Sequence, residues 1–109
     1  MPELIVEIHV PLIAAQGISS DDYQFPWIDT IDDFLNGYDG PGERYDDGEE
    51  WSNEEGEPEY VFFVGGSSEQ DLMAIARTVA DLPTVPLGVY VTVNDSEGDL
   101  GAGQRIDLD

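Results

Sequence analysis

The sequence predicts an α+β domain, a single antiparallel sheet with two helices on one face. Three observations carry this expectation. Residues 3–10, 59–64, 87–94 and 104–108 are short apolar or alternating runs bounded by turn residues, as strands require. Residues 29–36 and 68–81 instead place apolar side chains at three-to-four spacing, as helices require. The two kinds of segment interleave, and 109 residues give room for one core, so the chain is read as a single acidic domain over 1–109.

Residues 3–10 (ELIVEIHV) set Leu4, Val6, Ile8 and Val10 against Glu3, Ile5, Glu7 and His9, the pattern of a half-buried strand that Pro11 ends or confines to an edge. Residues 12–26 form an irregular connection. In residues 29–36, Ile31, Phe34 and Leu35 make an apolar stripe, which Tyr38 continues. Thr30 and Asp33 have the spacing of a capping box, and Gly37 suits the position after the helix. Residues 38–59 are rich in glycine and acid, with turn signals at Asp39-Gly40, Asp47-Gly48 and Gly56; a strand at 43–46, extended through 49–52, fits as a charged edge strand.

The run 59–64 (EYVFFV) is apolar on both faces and reads as an interior strand ended by Gly65-Gly66. Ser67 or Ser68 then caps a helix whose buried stripe is Leu72, Ile75, Ala76 and Val79, widened by Met73 and stopped by Pro83. In 87–94, Leu87, Val89, Val91 and Val93 share one face, with Tyr90 and Thr92 on the other. A loop at 95–103 leads to a last strand with Ile106 and Leu108 inward. With the acidic strand included, the first six elements have the order of a ferredoxin-like split β-α-β sandwich, whose second sheet face is left open to solvent or a partner.

Charge is the dominant compositional fact. The chain carries 25 Asp and Glu against three Arg and no Lys, a formal net charge of −22 at pH 7. Fifteen of the acids lie between Asp21 and Glu59, with Arg44 the one base among them and Trp27, Tyr38, Tyr45 and Trp51 interspersed. A solvating linker would not carry four large aromatics. Such a field repels nucleic acid and anionic membranes and draws in basic proteins. With no cysteine, disulfides, thiol catalysis and Cys-based zinc sites are excluded. Glu3, Glu7 and His9 interrupt the first apolar run and no basic segment precedes it, so neither a signal peptide nor a membrane span is expected; the reading is cytoplasmic.

The segments Gly37-Tyr38-Asp39-Gly40 and Gly48-Glu49, the strand ending in Gly65-Gly66, and the helix leading to Leu82-Pro83 together resemble a class of small, mostly uncharacterised bacterial α/β-plait (ferredoxin-like) proteins. Their pattern is G-x-D-G, G-x-G-E, strand, Gly, helix. The resemblance covers about residues 28–108 and departs at the second glycine pair, where residues 46–59 form a longer and more acidic insertion. It implies a fold and supplies no catalytic residues.

Several chemistries were weighed against blander roles. Carboxylate pairs such as Asp46-Asp47 and Glu54-Glu55 lie in polar, glycine-rich sequence, where solvation rather than a raised pKa is expected, so no catalytic residue is assigned and the chain is not read as an enzyme. The loop Asn94-Asp95-Ser96-Glu97-Gly98-Asp99 has calcium-type ligands, but its glycine is misplaced and the closing Glu is missing; no metal site and no cofactor are assigned. Gly65-Gly66-Ser67-Ser68 has the outline of an anion cradle but lacks a following Lys and is followed by Glu69 and Asp71. His9, the only histidine, is expected to be structural or on the surface.

The acidic stretch remains, either as a solvated loop whose Trp27 and Trp51 fold back on the core or as a recognition surface. Aromatics supply anchor area and carboxylates supply complementarity to a basic partner. The expected function is a non-enzymatic acidic binding protein, an immunity- or antitoxin-type inhibitor that occludes a basic toxin or nuclease. The expected contacts are Tyr45, Asp46, Asp47, Glu49, Glu50, Trp51, Glu54 and Glu55. The alternatives are a DNA-mimic inhibitor of DNA-binding or defence proteins, and a salt-adapted domain whose acidity serves solubility. Direct nucleic-acid and membrane partners are not expected; a homodimer through the sheet is a further partner mode.

Overall fold

In the computed structural model, residues 4–13, 25–38, 40, 42–52, 56–82, 85–86, 88–95, 98 and 103–108 are described. In chain order the elements are β1 (Leu4–Pro11), α1 (Pro26–Asn36), β2 (Glu43–Ser52), β3 (Pro58–Gly65), α2 (Glu69–Ala80), β4 (Tyr90–Asp95) and β5 (Gln104–Asp107). The five strands form one antiparallel sheet in the order β2-β3-β1-β4-β5. The chain is therefore α+β, as its periodicities predict.

β1 is the middle strand, paired with β3 on one side and β4 on the other. Its even-numbered side chains Val6, Ile8 and Val10 join Phe62 and Val64 of β3 and Val91 of β4 on one face. Both helices cover that face, α1 through Trp27, Ile31 and Leu35, and α2 through Leu72, Met73, Ile75, Ala76 and Val79. Burying each large side chain of this kind contributes about 1.5–3 kcal/mol, which is why two short helices suffice to hold the layer. Trp27 is fully buried, and its indole N–H donates to the Ile13 carbonyl oxygen at 3.0 Å. Ile106 and Leu108 pack at the rim of the same core.

Several expectations need correction. α1 starts at Pro26, three residues before the predicted 29, because proline at the first helical positions has a suitable φ and no N–H to leave unsatisfied. Thr30 is thus inside the helix rather than its cap, and its hydroxyl donates back to the Pro26 carbonyl oxygen at 3.2 Å. Gly37 closes α1 at φ −97°, without using the left-handed region. α2 runs over 69–80, within the predicted 68–81. Ser68 is its cap, accepting from the Asp71 N–H at 3.3 Å, and the Ser67 hydroxyl donates to the Asp71 carboxylate at 2.6 Å.

The largest correction concerns β1 and the helix-free face of the sheet. β1 is buried on both faces over residues 5–10 rather than half-buried; of the two roles expected of Pro11, it ends the strand's pairing, and β1 is central and not at an edge. On the face expected to be open, Ile5, Glu7, His9, Glu59, Val61, Tyr90 and Thr92 are all buried. Polar groups tolerate such burial only when hydrogen-bonded to one another, and these are. Most of the 12–26 connection and most of the 95–103 loop, with its calcium-like ligands, lie outside the described residues.

Candidate functional site

The predicted acidic strand exists and is longer than expected. β2 is a continuous ten-residue strand at the sheet edge, pairing with β3 alone among the described strands. Its register shifts twice, between Arg44 and Asp46 and between Asp46 and Glu49. Such bulges twist an edge strand and discourage edge-to-edge association.

Two glycines make its course possible. Gly42 enters the strand at φ +92°, and a Cβ there would come within 2.9 Å of Leu72 and 3.0 Å of Ile75 on α2. At Gly48 a Cβ would lie 2.5 Å from the Tyr60 ring, whose hydroxyl donates to the Gly48 carbonyl oxygen at 3.2 Å.

Of the predicted contact residues, Glu49 and Glu50 are exposed, as is Glu43 at the start of the strand, and Tyr45 is 44% exposed, one of two large apolar groups facing solvent among the described residues. Asp46 and Asp47 belong to β2, but their side chains, and all of Glu54 and Glu55, lie outside the described residues. Arg44 does not neutralise the strand's outward charge. Its guanidinium pairs with Asp32 on α1 and donates to the Asn36 side-chain oxygen at 3.1 Å, tying β2 to the helix.

Trp51, predicted as a contact, is only partly exposed. It stands opposite Glu59 in the β2–β3 ladder, and its ring meets His9 edge-on at 5.2 Å between centroids. Among the described residues it is the predicted contact residue whose ring meets His9 on the buried polar face.

That face holds the residues sequence reasoning missed. His9 is 0% exposed, and register places it between Val61 of β3 and Tyr90 of β4. Its Nδ1 lies 3.0 Å from Glu59 Oε1 and its Nε2 lies 2.8 Å from Thr92 Oγ1. Glu59 Oε1 also accepts from the Tyr90 hydroxyl at 2.7 Å, and the Thr92 hydroxyl is 2.5 Å from Glu7 Oε1. Asn94 donates to the other Glu7 oxygen at 3.4 Å. The Tyr90 ring stacks on His9, with centroids 4.4 Å apart and planes within 6°, and carries the Arg105 guanidinium 3.9 Å from its centroid.

Burial opposes a charge on the His9 imidazole. The Glu59 hydrogen bond and the charges of Glu59 and Glu7 act in the opposite direction. The signal available in the sequence was the depth match of polar residues within three apolar strands: His9 and Glu7 in the first, Glu59 at the start of the second, and Thr92 in the third.

Among the described residues, no group of three His, Asp or Glu side chains is arranged to hold a metal ion, and no helix is long and apolar enough to cross a membrane. No family model, curated protein or solved structure matches the chain.

Proposed function

We propose that this chain is a non-enzymatic acidic binding protein, of the immunity or antitoxin type, that uses β2 to occlude a basic partner such as a nuclease. The observation that carries this reading is the make-up of the β2 edge. Glu43, Glu49 and Glu50 face solvent on the same strand as the exposed Tyr45, while the only base of the segment is turned inward to Asp32. A nuclease groove is cationic because it holds phosphates, so a strand of carboxylates with an aromatic anchor is complementary to it. The two register shifts favour a protein groove over DNA mimicry, since they break the even pitch that phosphate-like spacing needs.

The strand order β2-β3-β1-β4, with helices following β1 and β3, supports the ferredoxin-like form of the α+β fold, to which β5 adds a further edge. Ile5, Val61 and Tyr90 on the helix-free face are already buried within the chain, which favours a heterologous partner at β2 over a homodimer through that face. A cytoplasmic location is consistent with the chain's composition and belongs to the same proposal.

The test is inhibition of purified basic ribonucleases and deoxyribonucleases, the protein encoded beside this chain included. The expected result is stoichiometric inhibition of at least one of them, with an association rate that falls as salt rises. Full nuclease activity across that set at saturating chain would contradict the proposal.

A further inference from the structure

The buried polar face contains one hydrogen bond more than its side chains can supply with protons. Four contacts run in series: Glu7 Oε1 to Thr92 Oγ1 at 2.5 Å, Thr92 Oγ1 to His9 Nε2 at 2.8 Å, His9 Nδ1 to Glu59 Oε1 at 3.0 Å, and Glu59 Oε1 to the Tyr90 hydroxyl at 2.7 Å. Each bond needs one proton between its heavy atoms. Thr92 and Tyr90 bring one each, a neutral imidazole brings one, and two ionised carboxylates bring none. Three protons cannot serve four bonds.

If the histidine is neutral and both carboxylates are ionised, two lone pairs must face each other at 3.0 Å or less in a site removed from water. We infer that the Glu7–Thr92–His9–Glu59–Tyr90 set binds one additional proton at neutral pH, and that this proton is part of the folded structure. Three arrangements satisfy every bond: an imidazolium between two carboxylates, a neutral imidazole with a carboxylic acid at Glu59, or one with a carboxylic acid at Glu7. The proton therefore belongs to the coupled set and not to one atom. Moving it along the chain changes no heavy-atom contact.

Among the described residues, the following groups face the set. β1 contributes Glu7, β3 contributes Glu59, and β4 contributes Tyr90, with Thr92 and Asn94 as neutral partners. β5 brings Arg105 onto the Tyr90 ring, with Asp107 accepting from Arg105 at 3.0 Å, and β2 brings Trp51 against His9, with Glu49 and Glu50 exposed beyond it. Neither helix lies on this face. The extra proton lowers the set's charge from −2 to −1, and with Arg105 nearby that is the arrangement burial tolerates best.

The consequence is a fold linked to pH on its alkaline side. Above about pH 6.5 an unfolded chain holds no proton on its histidine or carboxylates, whereas the folded set holds one. The folded state then binds more protons, so stability is fully present below about pH 6.5 and falls as pH rises, until the set itself titrates.

The experiment is urea unfolding of the intact chain between about pH 7.5 and 8.5, where the exposed carboxylates stay ionised in both states. Glu7→Gln is the decisive comparison. Its amide N–H₂ can donate to Thr92 while its carbonyl accepts from Asn94, so it supplies the missing proton covalently. The folding equilibrium constant of the wild type is expected to fall about tenfold per pH unit relative to Glu7→Gln.

The same pH dependence in wild type and Glu7→Gln would overturn the inference. So would a wild type that instead loses stability as pH falls through about 6.5, which is the behaviour of a neutral His9 between two ionised carboxylates. Should Glu7→Gln fail to fold, proton release on unfolding the wild type in weakly buffered solution decides the question. Release of one proton per chain supports the inference and release of none overturns it.

Discussion

Glu49 and Glu59 are ten residues apart on paired strands, and their surroundings are opposite. Glu49 faces solvent on the edge strand β2, where a carboxylate needs no partner and contributes mainly to the long-range field. Glu59 is buried on β3, where it accepts from both His9 and Tyr90. The same side chain is a solvated charge in one place and a structural acceptor in the other. The comparison teaches that the acidity of this chain is not one property: among the described residues, carboxylates such as Glu49 are solvated and add to the long-range field, while Glu7 and Glu59 are hydrogen-bonded within the sheet.

The difference can be broken from the buried side first. His9→Leu removes the ring that hydrogen-bonds both Glu59 and Thr92 and leaves each of these buried groups with one hydrogen bond fewer. It is expected to cost about 3–5 kcal/mol in urea unfolding, the range for removing one partner of a buried ionisable pair. A cost below about 1 kcal/mol would mean that these groups reach water after all. Next in size is Ile31→Ala on α1, fully buried against the sheet, at about 2–5 kcal/mol by the same measurement. That variant calibrates the apolar face of the sheet against the polar one.

On the exposed side the expected stability effects are small. Arg44→Ala removes a half-exposed ion pair to Asp32 and the tie between α1 and β2, and should cost about 0.5–1 kcal/mol. Replacing Glu43, Glu49 and Glu50 together by Gln should change stability by no more than about 0.5 kcal/mol. A salt series separates partner binding from salt adaptation. A chain whose acidity serves concentrated salt should unfold as salt is removed, whereas a binding protein held by the described core should stay folded at low salt, as read by circular dichroism.

The alternation and spacing of apolar residues made the strands, the two helices and the shared core face legible, because those patterns come from local geometry. The start of α1 was obscured because Thr30 and Asp33 have the spacing of a cap, while Pro26 had already begun the helix. The polar network was not legible because its contacts cross strands. His9 is 50 residues from Glu59 and 83 from Thr92, and only the β1–β3 and β1–β4 registers bring them together. Within β1 alone, Glu7 and His9 look like an ordinary solvent-facing row. β2 was foreseen as a charged edge strand, but the inward turn of Arg44 depends on its tertiary contact with α1.

The central claim is that β2, and not net charge as such, is the surface that meets a basic partner. The most direct test is stopped-flow association with an inhibited basic nuclease at low salt, using two variants of equal charge change. One replaces Glu43, Glu49 and Glu50 by Gln, and the other replaces the exposed Asp33, Glu69 and Asp81, outside β2, by their amides. The account predicts that the β2 variant associates at least tenfold more slowly than wild type while the other stays within about threefold of it. Equal slowing by both variants would contradict it, because the acidity would then act through total charge alone.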